Sequence, residues 1–311
     1  MIPFDGQFAQ DYVYPFALGA YDATQAPPGY TAGTNAFEIT ADITRAGFTN
    51  QLAALPATVQ PKVQKIMKSM LDHPRKPQLT SLANANSQQL LASPRADSPN
   101  QHFGWICVDA KNNRLIVAFR GTEFFHDWLD DFDFIPAPYA PIPGRGTVHQ
   151  GFQLVYYAVR DSVTQTITAR KGGCSQILIT GHSLGGALVG LAAPDLLNQA
   201  AANLAPIVYT WAEPRVGHSD YVDFFNTHVN VCYRIVNVWD VVPHLPPDLA
   251  GYEHEGNELS IDSGFSLDIV KNHVLVSGYA PGLATWNKNH PPIDTLRLGR
   301  RSVAAMVGRT A

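Results

Sequence analysis

The chain has 311 residues, of which 45% are hydrophobic and only 15% charged. An average soluble domain is about 25% charged and a chain of this length buries about three quarters of its unfolded surface, so disorder of the whole chain is excluded. With 22 Lys and Arg against 26 Asp and Glu the net charge is −4, which argues against a phosphate backbone, and hence nucleic acid, as the main partner.

Three cysteines, Cys107, Cys174 and Cys232, have no CxxC spacing. They exclude a disulfide scaffold, allow at most one internal disulfide and leave no basis for a cysteine zinc site. No run approaches eighteen apolar residues, so no transmembrane helix is expected. The first basic residue, Arg45, comes too late for the basic region of a secretory leader, although a mature form is compatible with this. Sparse charge among Ser, Thr, Asn and Gln leans toward an extracellular setting and leaves the compartment open.

Residues 24–101 read as loop-rich, since Ala26-Pro27-Pro28-Gly29 breaks any early helix and residues 78–100 are rich in Ser, Asn, Gln and Pro. Within them Val59, Val63, Ile66, Met67 and Met70 fall on one helical face, predicting one amphipathic helix. Its other face, with Lys62, Lys65 and Lys68, reads as solvated in preference to lipid-bound. Phe103 to Asp109 and Arg114 to Phe119 form a hairpin through Lys111-Asn112-Asn113. Next, Phe124, Phe125, Trp128 and Leu129 share one side of a predicted helix, with Asp127, Asp130 and Asp131 elsewhere. This segment is either an amphipathic flap or a surface helix packed permanently on the core. The acidic cluster lacks the calcium-loop pattern, so no metal is expected there. Residues 135–143 hold four prolines, a stiff wall.

Further on, residues 151–170 read as helix, Gln176 to Thr180 as strand, and a helix follows from Leu184. Then come a strand over Pro206 to Trp211, a short helix near Tyr221 to Phe225, and a strand over Val231 to Val238. Pro194, about three turns into the second helix, predicts a kink or early stop near Ala193. Alternating helices and nearly continuous β-branched strands predict an α/β fold, with a mostly parallel central sheet covered by helices on both faces. Residues 1–311 are read as a single domain.

Gly181-His182-Ser183-Leu184-Gly185 matches the GxSxG elbow, in which a serine sits on a tight strand-to-helix turn. A buried-type strand precedes it. Leu184, Ala187, Leu188, Leu191 and Ala192 repeat at helical spacing behind it. The helix N-terminus places positive partial charge and free N–H groups where an oxyanion would develop. Serine needs an imidazole to take its proton and a carboxylate to orient that imidazole. His182, beside the serine, should project away from it as a packed elbow residue.

Five ordered motifs carry a family resemblance. They are Phe119-Arg120-Gly121-Thr122, Asp127-Trp128 through Asp131, Val148-His149-Gln150-Gly151-Phe152, residues 181–187 around Ser183, and Glu213-Pro214-Arg215-Val216-Gly217 leading to Asp240-Val241-Val242-Pro243. Together the chain resembles the class 3, fungal-type triacylglycerol lipases of the α/β-hydrolase superfamily, from residue 103 to about 280. Feruloyl esterases of the same fold share much of this set. The resemblance implies an α/β-hydrolase fold with Ser183 as nucleophile. Asp240, at the end of a predicted strand, matches the family's acid. Asp195, Asp220, Asp223, Asp248 and Glu213 lack that placement or the motif. His273, followed by Tyr279, resembles the late catalytic histidine. His254 lies in a segment whose histidine is structural in the family, and it and His290 stay open as alternatives. His244 is only four residues past the acid.

The oxyanion hole should use the Leu184 N–H together with Thr122, whose alternative and compatible role is a helix cap. Asp131 matches a family position beside that loop. Phe124, Phe125, Trp128 and Leu129 fall where resembling lipases carry a lid that opens at a lipid surface. The chain departs from secreted fungal relatives in lacking several disulfides and in the length of residues 24–101. The expected function is hydrolysis of carboxylic esters, glycerides first, through an acyl-enzyme, with no metal or organic cofactor. The expected partners are a lipid or other ester substrate and transient lipid contact through the lid. The alternatives are a feruloyl-type or short-chain esterase acting on soluble esters, and a non-catalytic lipase-like binding protein.

Overall fold

Among the described residues eleven strands run in chain order: β1 (Ala36–Asp42), β2 (Asn100–Asp109), β3 (Arg114–Phe119), β4 (Pro136–Pro138), β5 (Thr147–His149), β6 (Gln176–His182), β7 (Ala205–Trp211), β8 (Gly217–His218), β9 (Cys232–Asn237), β10 (Tyr252–Glu253) and β11 (Asn257–Ile261). The computed structural model describes residues 4–42, 100–121 and 134–291. The expected helix with Val59 and Met70, the oxyanion candidate Thr122, the flap residues Phe124, Phe125, Trp128 and Leu129, and Asp131 lie outside the described residues.

Seven strands form the central sheet in the order β1-β2-β3-β6-β7-β9-β11. The first three pair antiparallel, and every pairing from β3 onward is parallel. The hairpin expected over residues 103–119 is β2–β3, with Asp109 opposite Arg114. β1 was not expected, because it lies in the segment read as loop-rich. Its Phe37-Glu38-Ile39-Thr40 alternates apolar with polar, Ile39 is fully buried, and β2 supplies the partner edge. A second sheet of four strands runs in the order β10-β8-β5-β4.

Helices cover both faces. An N-terminal helix, α1, is assembled from Gly6–Phe8, a π-helical stretch Ala9–Val13, and Tyr14–Gly19. It is followed by α2 (Gln150–Arg170), α3 (Leu184–Asn198), α4 (Ser219–His228), α5 (Ile269–His273) and α6 (Ala280–Asn289). Successive strand residues separate cleanly. Val117, Phe119, Ile177 and Ile179 pack with Val155, Val159 and Leu188 of α2 and α3. Ile116, Ala118 and Leu178 pack on the opposite side with Val13 and Ala17 of α1 and Leu283 of α6. Burial on both faces is why β3 and β6 read as continuous apolar runs. Each such Val, Leu, Ile or Phe stabilises the fold by about 1.5–3 kcal/mol.

Pro194 does not end its helix: α3 runs on to Asn198, which corrects the expected stop near Ala193. Proline removes the N–H that would bond the carbonyl four residues earlier. That carbonyl, of Gly190, instead accepts from the Tyr221 hydroxyl at 2.7 Å, and the next one, of Leu191, accepts from the Tyr139 hydroxyl at 2.7 Å. Among the described residues no helix is long and apolar enough to cross a membrane. All three cysteines are free thiols.

Candidate active site

Ser183 stands between β6 and α3 with φ 60° and ψ −125°, a left-handed backbone that L-residues rarely adopt. The turn leaves no room for a Cβ two residues to either side of the serine. A Cβ at Gly181 would run into the carbonyl of Gly185, and a Cβ at Gly185 into the carbonyl of Phe119. The strain is held by the sheet, since the Ser183 N–H donates to the Trp211 carbonyl of the neighbouring strand at 2.9 Å.

Three side chains meet there in one hydrogen-bonded line. Ser183 Oγ lies 2.9 Å from His273 Nε2, and His273 Nδ1 lies 2.9 Å from Asp240 Oδ2. All three residues are almost wholly buried, at 1%, 3% and 1% exposure for Ser183, His273 and Asp240. A carboxylate only accepts, so Nδ1 carries the imidazole proton and Nε2 faces the serine with its lone pair. Asp240 also accepts from the Tyr279 hydroxyl at 2.7 Å and from the Val242 N–H at 3.0 Å. Burial pushes the Asp240 carboxyl up, but the charge and hydrogen bond of His273, with the Tyr279 and Val242 donors, hold it below the usual carboxylate value.

The fold places each partner. β9 ends at Asn237, and Asp240 sits in the turn beyond it, its N–H bonded to the Asn237 carbonyl at 2.9 Å. That is the carboxyl end of a parallel strand, where open α/β sheets build sites. His273 is the last residue of α5, whose N-terminus Asp268 caps by accepting from the Lys271 N–H. Leu184 opens α3, so its N–H is among the first-turn donors without an intrahelical acceptor. β3 delivers Gly121 to the same spot: a Cβ there would lie 3.0 Å from Ser183 Cβ and 2.5 Å from the Tyr21 hydroxyl.

The remaining candidates are engaged elsewhere. His254 bonds the Pro243 carbonyl at 2.7 Å, and burial followed by the positive charge of Arg234 lowers it to about 3. His290 is exposed and stacks on Trp286, while His244 is exposed on a short 3-10 turn. Asp195 is clamped by Arg160 and Tyr156, Asp220 accepts from the Thr147 N–H and hydroxyl, Asp248 pairs with Arg215, and Glu213 accepts from Thr210. Asp223 offers its backbone carbonyl to Thr227. Among the described residues no group of His, Cys, Asp and Glu is placed to hold a metal.

His182 is buried, as expected of an elbow residue, but it is not idle. Its Nδ1 lies 2.7 Å from the Tyr21 hydroxyl and its Nε2 lies 2.8 Å from the carbonyl of His273. Burial, then the charge of His273, lowers it to about 3, so the ring stays neutral. Tyr21 carried no signal in the sequence, being 161 residues from its partner.

Residues 116–250 match the model of the family described as lipase (class 3). The chain is 34% identical over 150 residues to a lipase of Rhizomucor miehei, covering 46% of this chain and 40% of that protein. It is 30% identical over 162 residues to the secreted mono- and diacylglycerol lipase 1 of Fusarium solani, covering 51% and 47%. It therefore spans less than half the length of these two relatives. A solved Rhizomucor miehei lipase propeptide complex is 32% identical over 50% of this chain and 51% of that one, with a TM-score of 0.47.

Proposed function

We propose that this chain, a member of the class 3 lipase family of α/β-hydrolases through its residues 116–250, is a serine hydrolase of carboxylic esters whose substrates are glycerides. Ser183 Oγ attacks the ester carbonyl as its proton passes to His273 Nε2, and Asp240 stabilises the imidazolium that forms. The tetrahedral oxyanion is held by the Leu184 N–H and by Thr122, the residue after Gly121. Collapse breaks the ester bond, and the alcohol leaves with the proton from His273. Water, deprotonated by the same ring, then attacks the acyl-serine and releases the acid, returning the proton to Ser183.

The observation that carries this reading is the buried Ser183–His273–Asp240 line, with both links at 2.9 Å. The glyceride part is supported by the names of the relatives, one of them a mono- and diacylglycerol lipase. Phe124, Phe125, Trp128 and Leu129 act as a lid, a role supported by their amphipathic spacing, because an aromatic patch costly in water is stabilised against acyl chains. Action outside the cell belongs to the same reading, supported by sparse charge and the secreted relative.

The test is fluorophosphonate labelling of the native chain and of Ser183→Ala, with hydrolysis measured across acyl lengths. Labelling lost in Ser183→Ala, with glycerides hydrolysed, is expected. Equal labelling of both, or no hydrolysis of any ester, overturns the reading. Hydrolysis of aryl esters but not of emulsified glycerides replaces the substrate class with soluble esters. A rate that rises sharply above the solubility limit of a short-chain ester supports the lid, and smooth saturation through that limit rejects it.

A further inference from the structure

His273 is the last residue of the five-residue helix α5, and the last three carbonyls of such a helix have no partner within it. Side chains from elsewhere take all three. The Lys271 carbonyl accepts from Ser277 Oγ, the Asn272 carbonyl from Asn237 Nδ2, and the His273 carbonyl from His182 Nε2, each at 2.8 Å. The third donor stands apart from the others because it is the residue immediately before the nucleophile.

The direction of each hydrogen bond along this path follows from the chemistry. A carbonyl only accepts, so His182 Nε2 must carry the proton. In a neutral ring Nδ1 is then the lone-pair nitrogen, and the Tyr21 hydroxyl at 2.7 Å must donate to it. Tyr21 lies two residues past the end of α1 and its oxygen lies beside Gly121, two residues past the end of β3. A path of two directed bonds thus joins the N-terminal segment to the backbone of the histidine.

We propose that His182 and Tyr21 are positioning residues: by holding the His273 carbonyl they fix the height of the catalytic imidazole over Ser183. The proposal rests on the serine-hydrolase reading. Asp240 orients the ring of His273, whereas His182 anchors its main chain. Because His182 and Ser183 are consecutive, the nucleophile and the clamp on its base belong to one rigid turn. Any drift of α5 away from the elbow stretches this bond together with the 2.9 Å Ser183–His273 contact. The neutrality of His182 also matters, because its ring centre is 4.7 Å from that of His273. A second cation there would oppose the imidazolium formed in each turnover.

The experiment measures kcat and KM on a soluble short-chain p-nitrophenyl ester for the native chain, Tyr21→Phe, His182→Leu and His182→Gln, with thermal melting to follow folding. Displacing a reacting group by about 1 Å costs on the order of 100-fold in rate. His182→Leu should therefore lower kcat by about 100-fold with KM little changed. Tyr21→Phe, which frees the tautomer, should lower it by about 10-fold. His182→Gln, whose amide N–H can reach the same carbonyl, should recover most of the loss. Equal losses in the Leu and Gln variants, or native kcat in Tyr21→Phe, overturn the proposal. Should His182→Leu fail to fold, Tyr21→Phe decides, since it removes one oxygen and leaves the ring in place. A native chain that hydrolyses no ester defeats the serine-hydrolase reading itself, whereas an active native chain matched by an equally active Tyr21→Phe defeats only the clamp.

Discussion

Tyr221 of α4 donates its hydroxyl to the carbonyl of Gly190 in α3 at 2.7 Å, and that carbonyl is the one Pro194 leaves without its helical partner. Leaving a buried carbonyl unbonded costs about 1–3 kcal/mol, so Tyr221→Phe should destabilise the fold by that amount in urea unfolding. In a Pro194→Ala background the helix supplies its own N–H, so the same change should cost less. Equal costs in the two backgrounds would show that the tyrosine does not compensate for the proline.

Asp240→Asn should leave the fold intact and drop kcat by about 10,000-fold, because an amide can present its N–H to His273 and turn the imidazole to the wrong tautomer. The wild-type carboxyl is held below its usual value in the folded chain, so its contribution to stability is present above the unfolded carboxylate pKa. That contribution fades as pH falls through the folded value. Melting temperatures taken downward from neutral pH should fall less steeply for Asp240→Asn than for the native chain.

Glu213 and Glu255 are a buried carboxyl pair whose Oε1 atoms converge on Gly190, where a Cβ would meet both. Burial pushes both carboxyls up, and the charge of Glu255 pushes Glu213 further. Groups raised in the folded state contribute stability below the unfolded carboxyl pKa and lose it as pH rises through the folded value. Melting temperature should therefore decline as pH is raised, and Glu213→Gln should flatten that decline. An unchanged slope in Glu213→Gln would remove the pair as its cause.

Gly185→Ala places a Cβ against the carbonyl of Phe119 and the backbone of Arg120, so β3 and the elbow cannot both keep their positions. Overpacking of this kind costs about 1–3 kcal/mol. Loss of fluorophosphonate labelling in protein that still melts cooperatively is the expected outcome, and native labelling rates would show that the turn accommodates the methyl group.

Much of the sheet was legible because its signals are local. β3 and β6 are buried on both faces, so their runs are apolar without alternation, and the small residues around Ser183 mark a turn that larger side chains cannot enter. β1 was missed although Phe37-Glu38-Ile39-Thr40 alternates, since proline and glycine nearby outweighed a seven-residue strand stabilised by its partner β2. α3 passes Pro194 without stopping because the rule for proline is local while its remedy comes from Tyr221, 31 residues beyond the carbonyl it bonds.

The β2–β3 hairpin, the strands β6, β7 and β9 and the serine turn could be read along the chain, since periodicity, small residues and β-branching act over a few positions. Which side chains meet depends on how those elements stack. His273 reaches Ser183 across 90 residues and Tyr21 reaches His182 across 161. Such neighbours are brought together by the parallel stacking of β6, β7 and β9 and by helices laid over both faces of the sheet. Distance along the chain says nothing about distance through the core, so no local pattern around Tyr21 could announce its partner.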